Sequence, residues 1–300
     1  MKTYSEGSEI MSELLSPVGM LGLGNMGGAM AANLLKKGHK VMGYDPMESA
    51  KEAFVQAGGQ FAEIEEIAKQ CPVIFLSLPS VKALEANLAI IVPVAKPGTI
   101  LVELSTLPVE DKMRLHESLD GTGLIFLDAP LSGTGAQAIT GDLVVMLSGD
   151  EAACNKVVPV LKDFARRYDY LGEFGNGMKM KIAANLLVTI HNVAAAEGLL
   201  LATRLGLPAQ QAWEVLIDGA GGSRMLQIRG PQMVAETFVP PTMTNKLYMK
   251  DVGLILDSVT TNGLYSPLFE AAVEVCKEAA ELYPEEDTAA AYSVLKNKIK

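Results

Sequence analysis

Residues 17–46, PVGMLGLGNMGGAMAANLLKKGHKVMGYDP, decide the fold. An apolar run, VGMLG, leads into Gly22-x-Gly24-x-x-Gly27. A helix-period segment, Met26–Lys37, follows and is closed by Gly38, and a second apolar run, KVMGY, leads to Asp45. Strand, glycine turn, helix and strand in that order form one parallel βαβ unit. Gly22 allows the tight turn, Gly24 lets the backbone approach a pyrophosphate, and Gly27 lets the helix pack close to the strand. The phosphates of a dinucleotide would then rest on the helix N-terminus. Asp45 lies 23 residues after Gly22, where a carboxylate accepts from the adenosine ribose hydroxyls. That carboxylate would repel a 2′-phosphate, and Pro46 and Met47 offer no arginine to hold one. NAD is therefore expected as cofactor, with NADP the less suited.

Outward from this unit, short apolar runs alternate with helix-period segments as far as about Gly172: VGMLG, KVMGY, VIFLSL, TILVEL, LIFLD and LVVML. Met47–Gln56 reads as a helix closed near Gly58, and Pro79 stops the strand VIFLSL and turns the chain into the next helix. Beyond Gly177 the strand signal vanishes. Met178–Leu205 reads as one long helix ending at Gly206, followed by helical segments at Ala209–Asp218, Lys246–Thr260, Pro267–Leu282 and from Thr288 onward. The expected class is an α/β Rossmann domain, a doubly wound and mostly parallel sheet, plus an all-α C-terminal domain reached through a long interdomain helix. The expected divisions are an N-terminal extension over 1–16, the nucleotide-binding domain over 17–176, and a helical substrate and oligomerisation domain over 177–300.

Composition narrows the function. With 300 residues, 49% hydrophobic and 20% charged, the chain can bury two ordinary cores. A formal net charge of −10 argues against nucleic acid or an anionic membrane as partner. Cys71, Cys154 and Cys276 are odd in number and far apart, and the 3 histidines are scattered. No metal-ligand spacing or disulfide framework results, which suits a reducing compartment, the cytoplasm. The N-terminal stretch carries three glutamates and no apolar h-region, so it is not a signal peptide, and Met11 is an alternative start. The most hydrophobic stretch, 182–203, contains Asn185, His191, Asn192 and Glu197 and reads as a helix buried between domains, not a membrane span.

GNGMKMKIAANLLVTIHN, residues 175–192, carries the candidate chemistry. Lys181, Asn185, Thr189 and Asn192 share one helix face, whereas Lys179 points elsewhere. Such a polar stripe is expected to face a cleft or water, because unpaired buried polar groups are costly. Hydride transfer to or from a carbinol needs one group that exchanges a proton with the carbinol oxygen. A lysine with a lowered pKa can do so, with an asparagine one turn on to hold it or the substrate hydroxyl; a solvated lysine on a helix surface is the bland alternative.

Four segments together resemble the β-hydroxyacid dehydrogenases, the 3-hydroxyisobutyrate dehydrogenase group. GLGNMGGAMAANLLKKGH (22–39) is similar to the family's cofactor signature and DAPLSGTGAQAITGDL (128–143) to its substrate-binding motif. GNGMKMKIAAN (175–185) resembles its catalytic segment and MKD (249–251) its later lysine–aspartate motif. The resemblance implies Lys181 as catalytic acid/base with Asn185 as its partner. It implies that Ser132 and the Gly133 N–H bind the substrate carboxylate, with Thr134 beside them. Gly22, Gly24, Asn25, Met26, Gly27 and Asp45 would hold the cofactor, with Leu78, Pro79, Ser105 and Thr106 near its nicotinamide end. Lys250 would close over cofactor or substrate, braced by Asp251.

The chain departs from the family pattern at Thr134, where a second glycine is usual, at Ala184 for the first asparagine of a pair, and at Glu103 for an aspartate before Ser105–Thr106. Thr134 is expected to narrow the substrate loop or add a hydroxyl. The implied reaction is hydride transfer between NAD(H) and a small 3-hydroxy carboxylate or semialdehyde, in a homodimer or homotetramer. A 6-phosphogluconate dehydrogenase is a poorer match, because no histidine follows Lys181 within 182–185, and an imine reductase usually lacks the lysine. A non-catalytic NAD-binding interaction module is the rival from another class.

Overall fold

The computed structural model describes residues 15–299. The chain divides into two compact units at Lys181/Ile182. The first is built on a six-stranded sheet in the order β3-β2-β1-β4-β5-β6. The strands are β1 (Val18–Leu21), β2 (Val41–Tyr44), β3 (Gln60–Phe61), β4 (Val73–Leu76), β5 (Ile100–Glu103) and β6 (Ile125–Asp128). All five pairings are parallel. Helices connect them: α1 (Asn25–Lys36), α2 (Glu48–Gln56), α3 (Ile64–Gln70), α4 (Val81–Ile91) and α5 (Val109–Ser118).

Both faces of the sheet are covered, which is why its strands read as unbroken apolar runs rather than alternating ones. Val18, Met20, Val73, Phe75, Ile100 and Val102 pack into one core, and Leu21, Ile74, Leu76 and Leu101 into the other. β1 pairs with β2 on one side and β4 on the other, so the strand order reverses direction there. In an open parallel sheet that switch point, at the carboxyl ends of the strands, is where ligands bind.

One strand departs from expectation. LVVML does not extend the parallel sheet. It forms β8 (Leu143–Leu147) of a separate three-stranded sheet with β7 (Leu131–Ser132) and β9 (Ala165–Tyr170). β8 is antiparallel to β7 and parallel to β9. Apolar content alone does not tell one sheet from another. β9, ARRYDY, escapes sequence reading because an edge strand can be mostly polar and partly exposed, as this one is. Two further helices, α6 (Gly135–Thr140) and α7 (Glu151–Leu161), flank β8.

Helix α8 (Asn176–Arg204) starts in the first unit and continues into the second. After it come α9 (Ala209–Asp218), α10 (Arg224–Ala235), α11 (Asn245–Thr261), α12 (Pro267–Leu282), a 3₁₀ turn (Thr288–Ala290) and α13 (Ala291–Asn297). The second unit has its own cores, one around Leu199, Leu226 and Met233 and another around Val252, Ile255 and Phe269. α10 is the helix that sequence periodicity does not reveal, because Pro231 lies inside it and a glycine-rich stretch precedes it. Its start is capped by Ser223, whose Oγ accepts from Leu226 N at 3.1 Å. The long α8, expected from the sequence to be a buried helix, is not buried all round. Leu187 and Leu201 are exposed, because only part of its circumference has packing partners in this chain.

Candidate active site

The three glycines of the first turn are required for different reasons, which the surroundings separate. A Cβ on Gly22 would lie 2.1 Å from the Ser77 carbonyl oxygen, and φ is +89°. A Cβ on Gly27 would lie 1.9 Å from the Gly22 carbonyl oxygen. Both are therefore demanded by the protein's own backbone. A Cβ on Gly24 would meet nothing within 4 Å. Gly24 is the N-cap of α1 and has no side chain to cap it. A glycine with open space in front of a helix N-terminus fits a ligand's backbone approach, and a pyrophosphate suits the N–H groups and the dipole there. Asn25 and Met26 begin that helix.

Asp45, just past β2, faces this turn. Its Oδ2 accepts from Leu23 N at 2.8 Å and its Oδ1 from Met47 N at 2.9 Å. The carboxylate is thus held at the turn, and each oxygen keeps a second lone pair for a ribose hydroxyl. On the other side of the switch point, Leu78 and Pro79 follow β4 and Ser105 and Thr106 follow β5. The two loops are joined: Leu78 N donates to Ser105 Oγ at 2.8 Å.

Ser132 ends β7, and Gly133 and Thr134 lead into α6, of which Thr134 is the N-cap. Thr134 N donates to Gln137 Oε1 at 3.0 Å, so the residue that departs from the family pattern closes a helix start. This loop lies beside the Gly22–Gly27 turn: a Cβ on Gly135 would come 4.0 Å from Asn25 Cβ. Asn33 Nδ2, on α1, also donates to Ala138 O at 2.7 Å. α1 and α6 are therefore stitched together, which sets the two loops side by side.

On α8, Lys181 and Asn185 are buried at 9% and 6% exposure, whereas Lys179 is exposed and donates to Asn176 Oδ1 at 3.1 Å. At Thr189 and Asn192 the stripe is packed in the interior, contrary to the expectation that it faces a cleft or water. Thr189 Oγ1 lies 2.8 Å from Asn185 O and 2.8 Å from Tyr248 Oη, and Asn192 Nδ2 donates to Thr288 O at 2.8 Å. Tyr248 and Thr288 come from distant parts of the second unit, so they partner Thr189 Oγ1 and Asn192 Nδ2 without any local signal in α8. Burial pushes the Tyr248 phenol well up, so it stays a protonated donor. Asn185 Nδ2 donates to Asp251 Oδ2 at 3.0 Å. Asp251, expected beside Lys250, thus fixes which way the Asn185 amide points, turning its Oδ1 away from the carboxylate. Lys250 is exposed on α11.

Residues 17–172 match the family described as the NAD binding domain of 6-phosphogluconate dehydrogenase. Residues 175–295 match the family described as NAD-binding of NADP-dependent 3-hydroxyisobutyrate dehydrogenase. The chain belongs to the β-hydroxyacid dehydrogenase family. It is 29% identical to the "Probable 3-hydroxyisobutyrate dehydrogenase" of Mycobacterium tuberculosis, over 94% of this chain and 98% of that one. It is 32% identical to glyoxylate/succinic semialdehyde reductase 1 of Arabidopsis thaliana, over 88% and 93%. The solved structure of Mycobacterium tuberculosis 3-hydroxyisobutyrate dehydrogenase with L-serine superposes with a TM-score of 0.84 at 29% identity, covering 93% of this chain and 98% of that one.

Sequence reasoning missed one group that adjoins several candidate site residues. Lys112, on α5, is completely buried between Glu103 and Asp128, which are equally buried. Its Nζ donates to Asp128 Oδ1 at 2.7 Å and pairs with Glu103 Oε2. Burial alone would pull the Lys112 pKa down, but the two carboxylates carry it up, so it remains an ammonium. Burial pushes the Glu103 carboxyl up, against the pull of Lys112. A lone lysine in VEDKMRLHES reads as solvated surface. Only the two acids, brought in from β5 and β6, make it otherwise.

Proposed function

We propose that this protein interconverts a small 3-hydroxy carboxylic acid and its semialdehyde with NAD(H), using Lys181 as general acid/base. The observation that carries the reading is the buried Lys181, one helical turn from an Asn185 whose amide is oriented by Asp251. In one direction Lys181 accepts the proton of the carbinol hydroxyl. In the other it returns that proton to the oxygen of the aldehyde. Asn185 Oδ1 accepts from the lysine ammonium or the substrate hydroxyl and holds the two in line. Ser132 Oγ and Gly133 N donate to the substrate carboxylate.

Gly22, Gly24, Asn25, Met26 and Gly27 would hold the pyrophosphate of the cofactor, Asp45 its adenosine ribose, and Leu78, Pro79, Ser105 and Thr106 its nicotinamide end. When bound, the nicotinamide supplies or accepts the hydride. Preference for NAD(H) follows from the charge of Asp45, which two backbone N–H groups keep beside the turn. We also propose a homo-oligomer, supported by the exposed apolar side chains of the second unit, among them Leu201 at 62% and Leu205 at 73%.

The test is initial rates for the purified protein with 3-hydroxyisobutyrate, glycerate and L-serine plus NAD, and with tartronate semialdehyde plus NADH, alongside Lys181→Ala. Turnover with at least one of these and a loss on the order of 10²–10⁴-fold in the variant is expected, with cofactor binding retained. Parental turnover in Lys181→Ala would remove lysine from the mechanism.

A further inference from the structure

The buried charges at Lys112 lie in the middle of a continuous chain of contacts that begins and ends at the candidate site. Leu78 N donates to Ser105 Oγ at 2.8 Å, and Ser105 N donates to Glu103 Oε1 at 2.8 Å. The other oxygen of Glu103 pairs with Lys112 Nζ, which donates to Asp128 Oδ1 at 2.7 Å. Asp128 Oδ2 then accepts from Met178 N at 2.8 Å, in the first turn of α8. Ser148 thickens this last joint, its Oγ accepting from Gly177 N at 2.9 Å. The approach is close enough that a Cβ on Gly177 would lie 2.9 Å from Asp128 Oδ2. Lys181 follows Met178 by three residues, less than one turn of the same helix.

We propose that Glu103, Lys112 and Asp128 are positioning residues, a charged brace that sets Lys181 at a fixed distance from the Leu78 and Ser105 loops. Stability does not explain the arrangement, because well-packed apolar side chains of similar volume usually match or exceed a buried ion cluster. An apolar plug, however, cannot tie two backbone segments together in one orientation. Glu103 Oε1 and Asp128 Oδ2 each hold a backbone N–H, and Lys112 joins the two carboxylates. The two ends must be held to within a fraction of an ångström for proton and hydride transfer to share one geometry.

The inference rests on Lys181 being the acid/base, so Lys181→Ala is assayed in parallel and reports on that reading alone. The deciding variant is the double substitution Glu103→Gln/Lys112→Met. It removes one charge of each sign, keeps side-chain volumes, leaves an acceptor for Ser105 N, and cuts the link between the two carboxyl arms together with the Lys112 donor to Asp128 Oδ1. Thermal denaturation, NAD binding by fluorescence titration, and kcat with the fastest substrate of the panel are compared with the parent. The expected result is a folded protein with cofactor Kd within about threefold of the parent and kcat lower by about 10–100-fold. A folded variant with kcat within about twofold of the parent overturns the proposal. So does a loss of cofactor affinity with kcat intact, which would make the cluster a brace for the nucleotide loops only. If the double variant does not fold, Glu103→Gln alone decides by the same readouts, since it keeps the volume and the acceptor for Ser105 N and removes the charge that pairs with Lys112.

Discussion

Gly24→Ala separates what the fold needs from what the cofactor needs. Gly24 has φ −65° and ψ −164°, a conformation alanine adopts, and its missing Cβ would point into open space. The folded protein should therefore accept the methyl without strain. Its stability should stay equal or rise by about 0.4–1 kcal/mol, because alanine restricts the unfolded chain. Cofactor binding should suffer, since the methyl would stand where the pyrophosphate must approach the N–H groups at the start of α1. Losing one charge-assisted hydrogen bond, about 1.5–3 kcal/mol, raises Kd by roughly 10–150-fold. Gly27→Ala is the contrast. Its Cβ would lie 1.9 Å from the Gly22 carbonyl oxygen, so helix and strand must separate by more than an ångström and the melting temperature should fall. Differential scanning calorimetry and NADH fluorescence titration measure both quantities on both variants. Parental Kd in Gly24→Ala would refute the reasoning, because the phosphates would then bind elsewhere.

Removing the negative charge at position 45 should relax cofactor choice. Two unit charges about 4 Å apart near a protein surface interact by about 4 kcal/mol before screening, so Asp45→Asn should raise kcat/KM for NADPH relative to NADH by tenfold or more; an unchanged ratio would remove Asp45 as the ribose reader. In the second unit, Asp287 is buried and accepts from Arg229 Nη1 at 2.9 Å and from Thr242 N and Oγ1 at 2.7 Å each. Burial pushes its carboxyl up, but Arg229 and the backbone and side-chain donors pull it further down, to a net value below the ordinary one. A lowered folded-state pKa means the stabilisation is complete above the unfolded value of about 4 and is lost as pH falls below it. Asp287→Asn should therefore cost about 3–5 kcal/mol at neutral pH, and the gap should narrow in urea titrations run at progressively lower pH below about 4; a gap independent of pH would count against the pair.

Residues 17–46 by themselves determined the class of fold and the kind of cofactor, because a βαβ unit is local. Its strand, turn, helix and terminal carboxylate lie within one stretch of chain, and each signal depends on near neighbours. The same holds for the face of α8 that carries Lys181 and Asn185, since helical geometry converts spacing directly into direction. What lay beyond the sequence depended on partners far along the chain. Whether LVVML joins the parallel sheet was decided by its pairing with Leu131–Ser132 and with Ala165–Tyr170. The partners of Thr189 Oγ1 and Asn192 Nδ2 were decided by Tyr248 and Thr288, and the orientation of Asn185 by Asp251. Lys112 is the clearest case: one lysine in a charged helix carries no sign that it will be sealed from water. Only the packing of α5 over β5 and β6, which brings Glu103 and Asp128 to its ammonium, turns a surface residue into a brace. Periodicity records which way a side chain points, and tertiary structure alone decides what it meets there.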